Sequence, residues 1–192
     1  MTVTVQDYRR AQDGFEAVLA AVPAGGWDTT SACSGWTIRD VIGHTIWGQE
    51  LVGHLALGEQ FHDRTGAPGA ERPGEMVDDD VLARWRAARD ETAAVLTDQS
   101  LERPAPPQFV AAHPGAVLAD FLTILVLDYL AHTWDVGHPL GIEVSLPDDL
   151  LARTLPVARE VVVRRPGLFG PELTAPPGAD DQTRWLAFLG RR

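Results

Sequence analysis

The amino-acid sequence predicts an all-α protein, a four-helix bundle followed by a C-terminal extension. Apolar residues recur at helical spacing in four long stretches, and two of these stretches open with a threonine followed three residues later by an aspartate. Only residues 172–175 carry a weak strand pattern that competes with the helices. The 192 residues, 45% of them hydrophobic, predict one domain over residues 1–192 with its own core.

The first two helices have clear start and stop signals. A capping box at Thr4 and Asp7 opens the first helix, which the sequence PAGG ends near residue 23. Residues 27–36 form a loop that ends in the sequence CSGW. A second capping box opens a helix over residues 37–58.

The third and fourth helices follow a loop rich in Gly, Pro and charge at residues 60–76. The acidic run at residues 78–80 supplies negative charge to the first turn of the third helix, near residues 81–96. After a Pro-rich link, the fourth helix is predicted to begin at Pro114 and to end near Gly137.

The C-terminal extension has three parts. An amphipathic stretch at residues 148–163 predicts an extra helix, and a short helix at residues 183–189 closes the chain. Between them, residues 164–181 are so rich in Pro and Gly that we expect a long irregular loop.

Charge and cysteine content exclude several classes of protein. The formal net charge is −11, so a nucleic acid or an anionic membrane surface would be repelled. The lone Cys33 excludes an internal disulfide. The N-terminus has no apolar signal core, and the apolar run before Asp128 is too short to span a membrane. We therefore expect a soluble, cytoplasmic protein.

The fourth helix contains the first part of a predicted metal site. Asp128 and His132 are four residues apart, so their side chains lie on one helix face. A carboxylate after the apolar sequence FLTILVL must either take up a proton or pair with a cation. His44 lies on the apolar stripe of the second helix and also points inward. Two imidazoles and one carboxylate suit Zn²⁺ with one open position, and Fe(II), Ni²⁺ and Co²⁺ also accept this set. Hydrogen-bonded core residues are the alternative interpretation.

Other residues near this set are candidates for supporting roles. Asp135 and Asp40 each lie about one turn from a candidate histidine and are candidates to orient it, although helix capping explains Asp40 equally well. Cys33 is either a reactive thiol or, as we prefer, a small buried residue. The tryptophans close to the candidate ligands are candidate pocket residues: Trp36, Trp47 and Trp134.

Two motifs carry a resemblance to a known family. The segments SACSGWTIRDVIGHTIW (residues 31–47) and LDYLAHTWDVGHPLG (residues 127–141) resemble motifs of the mycothiol-dependent maleylpyruvate isomerase and DinB-like metalloprotein superfamily. The chain is identified as a short member that has only the metal-binding domain. The resemblance implies a DinB-like bundle in which the family's metal ligands fall on His44, Asp128 and His132, although many relatives have Glu at the acidic position.

The resemblance also implies an enzyme that handles thiols. A small thiol such as mycothiol would bind at the open metal position and react with an electrophilic substrate by S-transfer or thiol-assisted isomerisation. Two alternatives stay open. A metal-dependent hydrolase would activate water and use Asp135 or Glu50 as its base, and a noncatalytic module would only bind metal. Bundles with a broad apolar face often dimerise, so a homodimer and a monomer both stay open.

Overall fold

The computed structural model describes residues 3–192, in which there are seven α-helices and no β-strand. The helices are α1 (Val5–Ala20), α2 (Ile38–Leu57), α3 (Val81–Val95), α4 (Pro107–Ala112), α5 (Leu118–Gly137), α6 (Asp148–Val161) and α7 (Asp181–Phe188). The predicted fold class, a helical bundle with additional C-terminal helices, is confirmed.

Both predicted capping boxes are present. The Thr4 hydroxyl accepts the Asp7 N–H at 3.2 Å, and the Asp7 carboxylate accepts the Thr4 N–H at 3.0 Å. The same pair of hydrogen bonds, at 3.1 and 2.9 Å, joins Thr37 and Asp40 at the start of α2. These local bonds satisfy backbone donors that an uncapped helix would leave unpaired. The two helix starts were therefore predicted correctly from the capping motifs.

The predicted start of the fourth long helix at Pro114 is wrong. The chain first forms the short helix α4, then a turn in which Gly115 has a φ of 86°, and only then α5. The helix begins at Leu118 because the Asp120 carboxylate accepts the Val117 N–H at 3.0 Å. Pro114 therefore lies in the turn between two helices and does not begin one.

Helix α5 is the central element of the bundle and packs against α1, α2 and α6. Contacts on several sides explain why most of its residues are buried. An aromatic cluster of Phe15, Trp85 and Tyr129 joins α1, α3 and α5, with the ring centroids of Phe15 5.6 and 5.5 Å from the other two. Asp128 and His132, the two candidate ligands on α5, therefore lie on a helix that is packed on several sides.

The C-terminal extension packs back on the bundle. Two guanidinium groups join α6 to α1, since Arg10 binds the Asp149 carboxylate at 2.8 and 2.9 Å and Arg153 binds Asp7 at 2.6 Å. Helix α7 docks on α6 through its buried Trp185. The segment between α6 and α7 is irregular, as its Pro and Gly content predicted. None of the described helices is long and apolar enough to cross a lipid bilayer.

Candidate metal centre and its cavity

The three predicted ligands lie together, although His44 is on α2 and the other two are on α5. His44 Nε2 is 3.2 Å from one carboxylate oxygen of Asp128, and His132 Nε2 is 3.3 Å from the other. One ligand atom from each residue lies within 4.8 Å of the other two. Both imidazoles are nearly buried, whereas the Asp128 side chain is 26% exposed.

Hydrogen bonds to the other ring nitrogens orient both imidazoles. His44 Nδ1 is 2.6 Å from the carbonyl oxygen of Gly66, and His132 Nδ1 is 2.9 Å from an Asp135 carboxylate oxygen. These partners can only accept, so each Nδ1 carries a proton. When the imidazole is neutral, its Nε2 therefore presents a lone pair toward Asp128. Two nitrogen lone pairs and a carboxylate oxygen that face one another form a donor set that fits a divalent metal ion.

The electrostatics of the cluster also favour a cation. Burial raises the pKa of Asp128, but His132 and His44 together hold it well below its ordinary value. Burial lowers the pKa of His132, but the Asp128 carboxylate, helped by Asp135, raises it to about 9. The cluster therefore attracts positive charge, either as a proton on an imidazole or as a metal ion.

A buried ion pair between Asp135 and Arg191 holds the carboxylate that accepts the hydrogen bond from His132. The Asp135 side chain is fully buried and binds the Arg191 guanidinium through two hydrogen bonds, Nε to Oδ1 at 2.7 Å and Nη2 to Oδ2 at 2.6 Å. Burial raises the pKa of Asp135, but Arg191 and then His132 lower it. Sequence reasoning found Asp135 from its spacing to His132 but missed Arg191. An arginine 56 residues further along the chain carries no local signal that it reaches this site.

The loop between α2 and α3 is held over α2 by ring N–H groups. Trp36 Nε1 donates to the Ala70 carbonyl at 2.9 Å, and Trp47 Nε1 donates to the Asp63 carbonyl at 2.8 Å. The His44 bond to the same loop lies between them in sequence. This loop, and not Asp40, orients the His44 ring, since Asp40 caps α2 and accepts the Gly74 N–H.

The candidate ligands open on a cavity of about 460 Å³ between the bundle and the C-terminal extension. Besides His44, Asp128 and His132, its wall contains apolar side chains from several elements: Phe109, Ile124, Leu127, Ala131, Leu168 and Phe169. The loop after α6 and the tail thus complete a pocket that the bundle leaves open.

The three candidate pocket tryptophans have different places. Trp36 lines the cavity, and its ring centroid is 5.2 Å from that of His44. Trp47 stacks on His44 with ring centroids 6.1 Å apart, but it lines a separate groove beside α2. Trp134 stacks on His138 at 4.2 Å and is not part of the cavity wall.

Two residues proposed for chemistry are placed where they are poor candidates. Cys33 lines the cavity near His132, but burial, together with the charge of Asp135, raises the pKa of its thiol to about 12. It therefore stays a protonated thiol at neutral pH. Glu50 pairs with Arg84 and is not in the cavity wall.

Comparison with known proteins identifies relatives over most of the chain. The family model described as mycothiol maleylpyruvate isomerase N-terminal domain matches residues 8–137, which include all three candidate ligands. Uncharacterized protein Rv0738 of Mycobacterium tuberculosis strain H37Rv is 32% identical over 200 residues, covering 96% of this chain and 95% of the relative. Uncharacterized protein MT0763 of strain CDC 1551 matches to the same extent.

A further relative covers less of both sequences. Uncharacterized protein Rv0036c of Mycobacterium tuberculosis strain H37Rv is 27% identical over 149 residues, which is 72% of this chain and 56% of the relative. No solved structure matches the chain significantly. With a family model that spans most of the bundle and a relative that matches nearly end to end, the chain belongs to the family of the mycothiol maleylpyruvate isomerase N-terminal domain.

Proposed function

We propose that this protein is a metal-dependent enzyme that activates a low-molecular-weight thiol, such as mycothiol, for S-transfer or thiol-assisted isomerisation. His44, Asp128 and His132 would hold a divalent ion, for which Zn²⁺ is the best fit and Ni²⁺, Co²⁺ or Fe(II) are alternatives. The observation that carries the proposal is the convergence of these three residues in the wall of a cavity. Membership of a family named for mycothiol supports the choice of a thiol.

Each residue of the site has a role in this proposal. When bound, the metal would lower the pKa of an added thiol and so supply a nucleophilic thiolate at neutral pH. His44 and His132 would offer their Nε2 lone pairs, and Asp128 would offer a carboxylate oxygen. Gly66 and Asp135 hold the two imidazoles in the required tautomer. The apolar wall would keep water away from the thiolate and its electrophilic partner.

Metal analysis and a thiol-dependent assay test the proposal. We expect one equivalent of metal in the purified protein and S-conjugation activity that requires mycothiol or a surrogate thiol. Asp128→Asn and His132→Gln should lose most of the metal, whereas His54→Gln, a substitution of an exposed histidine on α2, should not. Stoichiometric metal without thiol-dependent turnover would refute the thiol-dependent function and leave the metal site in place.

The hydrolase alternative lacks a suitable base among the two residues considered for it. Asp135 is occupied by Arg191 and His132, and Glu50 pairs with Arg84 away from the cavity. Substrate turnover by the metal-loaded protein in the absence of any thiol would nevertheless establish that function in place of ours.

The remaining expectations belong to the same proposal. We propose that residues 1–192 act as one domain, since the tail residue Arg191 supports the ligand His132 through Asp135. Thiol chemistry requires a reducing compartment, which supports a cytoplasmic location. The homodimer stays a prediction, and sedimentation of the purified protein tests it.

A further inference from the structure

We infer that the cavity accepts a neutral, apolar ligand body and discriminates against ligands that carry a carboxylate. This inference rests on the proposed function, because it concerns the molecule that would lie beside the thiolate. It names a substrate class that differs from the one in the family's name, since maleylpyruvate is a dicarboxylate.

The side chains of the cavity wall are predominantly apolar. Phe109 of α4, Ile124 and Leu127 of α5, and Leu168 and Phe169 of the tail surround the space beside the ligands. Such a wall favours a hydrocarbon or aromatic ligand body, because burying apolar surface contributes about 25 cal/mol per Å². A charged group placed against the same wall would lose its hydration without a replacement partner.

The Arg191 guanidinium, which lines the cavity, already has hydrogen-bond partners within the protein. Arg191 donates twice to the Asp135 carboxylate and once, from Nη1 at 3.1 Å, to the Leu189 carbonyl. The ring of Phe169 covers this guanidinium, with its centroid 5.5 Å from Cζ. Among the described residues that line the cavity there is no other arginine and no lysine. A substrate carboxylate would therefore find no free cation of the kind that binds carboxylates.

The remaining ionisable groups of the wall do not change this conclusion. Glu160 is exposed at the rim, where its negative charge repels an incoming anion. His113 is also exposed, and its ring packs against Phe109 with centroids 4.5 Å apart. Cys33 also lines the wall, and a cysteine side chain carries no positive charge that could pair with a carboxylate.

The charge of the centre matches one thiolate and no further anion. Asp128 and Asp135 carry two negative charges, and Arg191 carries one positive charge. A divalent ion with neutral imidazoles would give the centre a net charge of plus one, which one thiolate cancels. Any carboxylate on the second molecule, or on the thiol itself, would then be an uncompensated buried charge.

Two thiols that differ by a single carboxylate test this inference. Benzyl mercaptan and 4-(mercaptomethyl)benzoate both carry a –CH2–SH group on a benzene ring, and only the second carries a carboxylate. Each is titrated into the Co²⁺-substituted protein at about pH 8, above the ordinary titration range of histidine, with the visible absorption of Co²⁺ as the readout. We expect the carboxylate to raise the Kd about tenfold or more.

Substitutions at the rim sharpen the test. Val163→Arg places a cation at an exposed position of the cavity wall and should lower the Kd of the benzoate about fivefold. Leu57→Arg is the matched control, because Leu57 is similarly exposed but lies outside this cavity. Glu160→Gln removes a negative charge at the rim and should also reduce the difference in Kd between the two thiols.

The possible failures are distinguishable. Equal affinities for the two thiols, or tighter binding of the benzoate by the unmodified protein, would overturn the inference about the cavity and leave the proposed function in place. No spectral change with either thiol would refute the proposed function, and the inference that rests on it would fall as well.

Discussion

The buried pair of Asp135 and Arg191 makes the sharpest prediction about stability and metal affinity. Arg191→Met keeps an apolar stem of similar length but leaves the fully buried Asp135 carboxylate with His132 as its remaining side-chain partner. Removing one partner of a buried ion pair costs about 3–5 kcal/mol. Because the His132 hydrogen bond remains, we expect a loss near the lower end, about 3 kcal/mol of the free energy of unfolding.

A double-mutant cycle in urea measures this effect. The variants are Arg191→Met, Asp135→Asn and the combination of both, each unfolded as metal-free protein. We expect a coupling energy of about 2 kcal/mol, so that the double variant is more stable than the sum of the single losses predicts. Arg184→Met on α7 is the control, since its pair with Asp181 is exposed on both sides and is worth at most about 1 kcal/mol.

The same variants connect the tail to the metal site. Asp135 orients the His132 imidazole, so Arg191→Met should weaken Zn²⁺ binding about tenfold to a hundredfold in a competition titration with a chelator. A stability loss for Arg191→Met no larger than that of Arg184→Met, together with unchanged Zn²⁺ affinity, would refute the idea that the tail supports His132.

Three further predictions concern packing, acid stability and thiol reactivity. Gly43→Ala should lower the free energy of unfolding by about 1–3 kcal/mol, because its Cβ would lie 2.0 Å from the backbone oxygen of Pro73. Gly48→Ala is the control and should raise the free energy of unfolding by up to about 1 kcal/mol, because the nearest atom would lie 3.8 Å from its Cβ. The urea midpoints of the two variants measure both changes. The hydrogen bond from Arg10 helps to lower the pKa of Asp149 to about 2, so the stabilisation from this pair is present above about pH 4 and is lost as the pH falls toward 2. Because both side chains are solvent-exposed, Arg10→Met should reduce the loss of unfolding free energy on acidification by a measurable amount below about 1 kcal/mol. Melts at several pH values measure this loss, and an unchanged pH dependence would contradict the prediction. The thiol of Cys33, with its pKa raised to about 12 by burial, should react with iodoacetamide far more slowly at about pH 8 than a free thiol does, and fast labelling of the metal-free folded protein would contradict this.

Features that depend on neighbours in sequence were predictable. The capping boxes at Thr4 and Thr37 involve residues three apart, and the pairing of Asp128 with His132 involves residues four apart. Both follow from the geometry of a single helix turn. The late start of α5 was missed because the Asp120 carboxylate caps a backbone N–H of Val117, a residue with no capping side chain of its own.

Most features that depend on contacts between distant segments were not predictable from local patterns, and the metal site was predicted only from inward-facing positions and the family resemblance. The sequence indicated that His44, Asp128 and His132 point inward, and the family resemblance matched each of them to a ligand. Their mutual distances depend on how α2 packs against α5. Likewise, the Pro and Gly content of residues 164–181 predicted an irregular loop, but it did not indicate which of these residues line the cavity.

The order of the helices, their caps and the identity of the candidate ligands are properties of short stretches of this chain, because backbone hydrogen bonding and side-chain periodicity act within one or two turns. The cavity, the ion pair of Arg191 with Asp135 and the loop that orients His44 form only when segments distant in sequence pack together. The contacts of Gly66 with His44 and of Arg191 with Asp135 span 22 and 56 residues, and the cavity wall combines residues from Cys33 to Arg191. Such contacts depend on the shape of the whole core, which no single segment encodes.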